Sequence, residues 1–132
     1  MSYSQYLDKK LQDYTFEGGA FTAPSMYLAV STANPLADNS GNAEPSGNSY
    51  ARVSISTGNW TATVLGTGNL VSSATFTFPQ ASGSWGTLTY FAIFDASSTG
   101  NQLCAGALSA SKTIGANDTL SFASTNVTLT LT

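Results

Sequence analysis

Histidine is absent from this chain of 132 residues, and cysteine occurs once, at Cys104. Without an imidazole there is no Ser-His-Asp or Cys-His nucleophile and no histidine metal ligand. A single cysteine cannot close an internal disulfide, and its neighbours Leu103 and Ala105 suit a small buried hydrophobe better than a reactive thiol. Charge is scarce too: Asp, Glu, Lys and Arg make up 8% of the residues, against about a quarter in ordinary soluble domains. The cations Lys9, Lys10, Arg52 and Lys112 are scattered, whereas a nucleic-acid footprint needs them clustered. No apolar run reaches the length of a membrane span. The opening MSYSQYLDKKLQDYTF has no apolar centre of a secretory signal. The expected setting is therefore a reducing cytoplasm, with neither membrane nor nucleic acid as partner.

The carboxylates are equally dispersed. Asp8, Asp13 and Glu17 lie in or beside the N-terminal segment, and Asp38, Glu44, Asp95 and Asp118 fall singly in loops or at strand ends. No local spacing assembles a glycosidase pair or a calcium loop. Asp95 and Asp118 suit turns, where a carboxylate accepts from nearby amides. Gly66-Thr67-Gly68-Asn69 lacks the lysine and following helix of a phosphate loop and reads as a hairpin turn. No enzyme, no metal and no cofactor are expected.

What fills the chain instead is serine, threonine, asparagine and glycine around short apolar stretches that alternate at period two. Threonine suits a pleated, half-buried surface, and the others supply turns. Strands are predicted at residues 26–31, 50–56, 60–65, 69–78, 87–95, 102–108, 112–114, 120–122 and 127–132. The pattern is that of an all-β domain, an antiparallel β-sandwich or jelly-roll-like fold. Between the first two strands runs a long polar loop, residues 32–49, that holds Asp38 and Glu44. Loops of that length usually serve a function or an interface.

Residues 2–14 read as a helix. Tyr3, Leu7, Leu11 and Tyr14 form one stripe with Tyr6 beside it, Ser2 and Gln5 fit a capping box, and Gly18-Gly19 ends the segment. A helix this short needs a surface beneath it. Residues 1–17 are thus expected to form an N-terminal helical arm and residues 18–132 the β-sandwich. Tyr3, Tyr6, Leu7, Leu11, Tyr14, Asp38 and Glu44 are the candidate contacts with another subunit. The other reading has the stripe packed on the chain's own sandwich.

One stretch concentrates aromatic rings, Ser84-Trp85-Gly86-Thr87-Leu88-Thr89-Tyr90-Phe91-Ala92-Ile93-Phe94-Asp95. Strict alternation puts Leu88, Tyr90, Ala92 and Phe94 on one face and Thr89, Phe91 and Ile93 on the other. Apolar groups on both faces indicate a strand covered on both sides, not a solvent-facing stacking platform. Leu88, Phe91, Ile93 and Phe94 are the expected core.

Several stretches carry a family resemblance: Phe16, Phe21-Thr22-Ala23-Pro24 leading to Tyr27-Leu28-Ala29, Asn34-Pro35, Tyr50-Ala51-Arg52, and above all Trp85 to Ala96. Leu103, Gly106-Ala107-Leu108, Lys112-Thr113 and the closing Thr-Leu-Thr-Leu-Thr complete it. With these the whole chain resembles small bacteriophage virion proteins of the tail-fibre or capsid-decoration kind. Asn117-Asp118 and Thr99-Gly100 stand where that group's pattern has Gly-Asp and Gly-Gly, both in turns. The resemblance implies a non-enzymatic building block of the virion, its implied partners being copies of itself as a homotrimer and the major capsid protein. A capsid cement (decoration) role is the first expectation. A tail-tip or tail-fibre protein in host attachment is the second, with Trp60 or exposed tyrosines as glycan platforms. A secreted carbohydrate-binding module is a third class, at odds with the expected absence of a signal.

Overall fold

The computed structural model describes residues 2–20, 22–62 and 69–130. Along them run β1 (Ser2–Tyr3), α1 (Gln5–Phe16), β2 (Met26–Ser31), β3 (Val53–Ile55), a 3-10 turn (Thr57–Asn59), β4 (Trp60–Ala62) and β5 (Asn69–Ser72). Then follow β6 (Phe76–Thr77), β7 (Gly86–Phe94), β8 (Gln102–Ile114), β9 (Ser121–Phe122) and β10 (Thr128–Thr130). All strand pairs are antiparallel. The fold is an all-β, sandwich-like domain with one short N-terminal helix. Residues 66–68 of the hairpin turn predicted at 66–69 and the ends of two predicted strands, 63–65 and 131–132, lie outside the described residues, as does Phe21.

Sheet order explains the aromatic-rich strand. The main sheet runs β1-β8-β7-β2-β3, which puts β7 in the middle. Leu88, Phe91, Ile93 and Phe94 are 0–9% exposed. On one face Leu28 pairs with Ile93 and Val30 with Phe91, and these pack with Phe76, Phe78, Trp85, Leu120 and Val127 from outside the main sheet. The rings of Tyr50, Phe78 and Trp85 meet there, Tyr50 edge-on to Trp85 at 5.2 Å and Phe78 to Trp85 at 6.2 Å. Edge-to-face aromatic pairs add to the gain from area burial.

The opposite face is built differently. Ala29, Ala92 and Ala105 pair across β2, β7 and β8 and form a second small cluster with Phe94. A row of methyl groups lets backbone approach closely, and residues 32–49 cross that face. The loop is irregular yet held: Ser31 Oγ donates to Ala33 O at 2.7 Å and accepts from Ala43 N at 3.0 Å. Gln102 Nε2 donates to Leu36 O at 2.7 Å. Gly41 packs so tightly that a Cβ there would collide with the Asn34 carbonyl and touch Leu36.

Several local readings change. Ser2 belongs to β1, which pairs with Ala105, and the helix cap is Ser4, whose Oγ accepts from Leu7 N at 3.1 Å. Tyr3, read as the first residue of the helical stripe, is instead a strand residue opposite Cys104. The predicted strand at 50–56 shortens to Val53–Ile55, and that at 69–78 splits into β5 and β6. Residues 102–108 and 112–114 join as β8, but the ladder jumps from Tyr90–Ala107 to Leu88–Lys112, so residues 108–111 bulge away from β7. The pairing is also irregular on the β7 side, between Leu88 and Tyr90, and strict alternation fails there. Leu88 therefore joins Phe91 and Ile93, not Tyr90 and Phe94.

Emptying the Phe94 site is expected to lower unfolding stability by about 3–5 kcal/mol in urea titration of Phe94→Ala. A midpoint equal to the parent's would show that the second face is not packed.

Candidate functional site

The α1 surface is the first candidate. Its N-terminus is pinned by Ser4 N to Leu103 O at 2.9 Å and Gln5 N to Ala37 O at 3.0 Å. Its C-terminus closes at Gly18, whose φ of 69° favours glycine, with Gly19 N bonded to Asp13 O at 3.1 Å. Between these ends no helix residue is fully buried. Leu7 and the strand residue Tyr3 pack against the main core, and burial raises the Tyr3 phenol. Tyr6, Leu11 and Tyr14 are exposed, and Phe16 is 83% exposed. Lys9 pairs with Asp13 at 2.8 Å on the helix surface, and that hydrogen bond raises the ammonium pKa. The missed residue is Phe16, whose sequence signal was an aromatic in the last turn beside a glycine stop.

The loop candidates separate. Asp38 is exposed, and Ser40, donating to Oδ1 from both its hydroxyl at 2.7 Å and its amide at 3.0 Å, lowers its pKa. Glu44 faces inward. Its carboxylate takes Arg52 Nε and Nη2, each at 2.8 Å, and the Tyr50 hydroxyl at 2.7 Å. Arg52 Nη1 reaches the carbonyls of Ala96 and Thr99, each at 2.8 Å, and the guanidinium lies 3.8 Å from the Phe94 ring centre. Four of the five N–H groups of this arginine tie loop 32–49, the entry to β3 and the β7–β8 turn together. Burial, and then the Glu44 charge, drives the Tyr50 phenol far above its ordinary range.

Asp95 and Asp118 cap turns, accepting from Asn101 N at 2.7 Å and Gly115 N at 2.8 Å. Trp60, the other proposed glycan platform, is half-buried and packs on the core, 6.5 Å from Phe76. Among the described residues no three His, Cys, Asp or Glu side chains converge as metal ligands, and no helix is long and apolar enough to cross a membrane. Besides concavities on the α1 surface and beside the Arg52 cluster, two others lie among the described residues. One, about 570 Å³, lies between the β8 bulge and residues 120–128 and is floored by Phe91, Leu120 and Val127. The other, about 260 Å³, lies at the N-terminus of α1 beside Asp38, Asn39 and Gln102.

A small β domain whose charged side chains are largely spent on internal ties has the character of a structural unit. The family model described as podophage GP4 fiber I protein gp80 matches residues 2–130, and the chain belongs to that family. Among curated proteins none matches the chain.

Two outcomes check this account. Glu44→Gln, which leaves the Arg52 guanidinium buried against a neutral partner, is expected to cost about 3–5 kcal/mol of stability, whereas Lys9→Met leaves the urea midpoint in place. Equal effects would mean the Arg52 cluster is not a tie. Burial pushes the Cys104 thiol from 9.0 up to about 12. The unfolded chain releases that proton first, so stability present below the lower value drains away as pH rises from one to the other. Cys104→Ala should flatten part of that fall in alkaline urea titrations; an identical pH profile would contradict the burial.

Proposed function

We propose that this chain is a non-enzymatic structural subunit of the phage tail-fibre apparatus, attached to a neighbouring virion subunit through the outer face of α1. The observation that carries the reading is a helix fixed at both ends that leaves large side chains in solvent, Phe16 at 83% and Tyr14 at 55%, with Leu11 partly exposed on the same helix. Exposed tyrosines beside them suit an interface, since a ring buries area while its hydroxyl keeps a partner. Tyr3 and Leu7 pack on the chain's own core and Glu44 is held by Arg52, which narrows the proposed contact surface to Tyr6, Leu11, Tyr14, Phe16 and Asp38.

The fibre reading is preferred to a capsid cement role because the family description names a fibre protein. A homotrimer is the proposed working state. Its support is the low charge of the chain, which leaves little repulsion between like subunits; symmetry itself follows from the interface geometry.

Localisation by cryo-EM of intact particles tests the place. Density on the tail in a few copies is expected, and density spread over the capsid lattice would restore the cement reading. The surface is tested by Phe16→Ser. That variant is expected to keep the parent's melting temperature yet fail to enter particles, and normal incorporation would move the attachment elsewhere. Light scattering of the purified chain should give three times the monomer mass; a monomer at micromolar concentration counts against the trimer.

A further inference from the structure

A cyclic trimer is not closed by one patch meeting itself, because each of its contacts joins two different surfaces of the chain. The outer face of α1 supplies one surface under the reading above, and the concavity beside the β8 bulge has the chemistry of the other. Its volume is about 570 Å³, within the range of about 300–1,000 Å³ typical of sites that hold organic groups. Leu108 and Phe122 line it, half-buried and packed on the main core, so each also shows apolar surface to water. Phe91 and Leu120 lie beneath them and are almost fully covered. Beyond Ala105 no strand pairs with the outer side of β8 among the described residues, so this wall is bare. No residue of α1 lines the concavity, and the chain does not seat its own Phe16 there. Phe16 instead stands 83% exposed at the end of the helix, a large apolar ring left in water.

Charge points the same way. The ion pairs among the described residues are Lys9–Asp13 and Arg52–Glu44, which leaves Lys112 and Glu17 without a salt-bridge partner. Lys112 is exposed and is the one charged side chain lining the concavity among the described residues. Glu17 is the C-cap of α1, next to Phe16, and the last turn holds no basic residue. A carboxylate there lies against the negative end of the helix dipole. A cation brought up by a neighbour relieves that repulsion and completes its own pairing.

We propose, resting on the trimer reading, that Phe16 of one copy seats in the concavity beside the β8 bulge of the next, with Glu17 paired to Lys112 at its rim. The partner of α1 is then a second copy of this chain, and successive contacts of this kind close the ring. A single buried aromatic of this sort is the hot spot of an interface, around which the rest of the α1 surface excludes water.

The test reads mass by light scattering over a concentration series of the purified chain, with the fold of each variant checked by its amide NMR spectrum. Phe16→Ser removes the knob, and Ser109→Trp, at an exposed position lining the concavity, fills the socket. Each should weaken association about thirtyfold or more, the scale of a hot-spot residue. Lys112→Glu and Glu17→Lys should each weaken it about fivefold at low salt. The two reversals in one chain should restore the parent's curve, which a merely structural role for either residue does not predict. A trimer dissociated by Phe16→Ser but left intact by Ser109→Trp and by the charge reversals overturns the seat, while α1 stays the contact surface. A trimer untouched by all of these substitutions also overturns the seat, and entry into particles then judges α1 on its own. A parent chain that stays monomeric throughout the series overturns the trimer and the seat together.

Discussion

The middle strand of the main sheet has to be covered twice. β7 carries large apolar groups on both faces, Phe91 and Ile93 toward one side and Phe94 toward the other. Water must be kept from both. One cover is conventional, a set of short strands whose rings and aliphatic chains interlock with β2, β7 and β8. The other is a stretch of chain with no regular structure at all. The alanine row makes that possible by leaving room for a backbone, and the backbone groups of residues 32–49 then need partners. Ser31, Gln102 and the turns at Asn34 and Asp38 supply them.

The Arg52 cluster follows from the same requirement. A loop laid over alanines gains little from hydrophobic area, so its hold is polar. A guanidinium stacked on Phe94, with its nitrogens assigned to Glu44, Ala96 and Thr99, fastens three segments at one point. Such a cluster is costly to break and specific in geometry. It also holds the Glu44 carboxylate largely away from solvent.

How much of this the sequence discloses depends on the range of the interaction. Period-two alternation marks β2 and β7 almost to the residue, and two-sided apolarity identifies β7 as a covered strand before any sheet order is known. The parity of Leu88 is hidden because the irregularity between Leu88 and Tyr90 belongs to the pairing with a distant strand. Tyr3 fits a helix spacing of four and a strand pairing equally well; only Ala105 and Cys104, a hundred residues away, decide. Ser2 and Ser4 are both plausible caps, and the choice follows from that strand. The loop reads as polar and free because Glu44 and Asp38 look alike in sequence, whereas one is spent on Arg52 and the other is not.

The two-residue strand β1 has a mechanical consequence. A pull on α1 does not reach the sandwich through the helix's own apolar contacts, which are few. It runs along the backbone into the pairs Ser2–Ala105 and Tyr3–Cys104 and the bond from Ser4 N to Leu103 O, and in parallel through Gln5 N to the Ala37 carbonyl. Tension is thereby divided between a sheet edge and the loop that Ser31, Gln102 and Arg52 fasten down. The helix is mounted on two supports, and a tug on it is shared by the edge of the main sheet and residues 32–49.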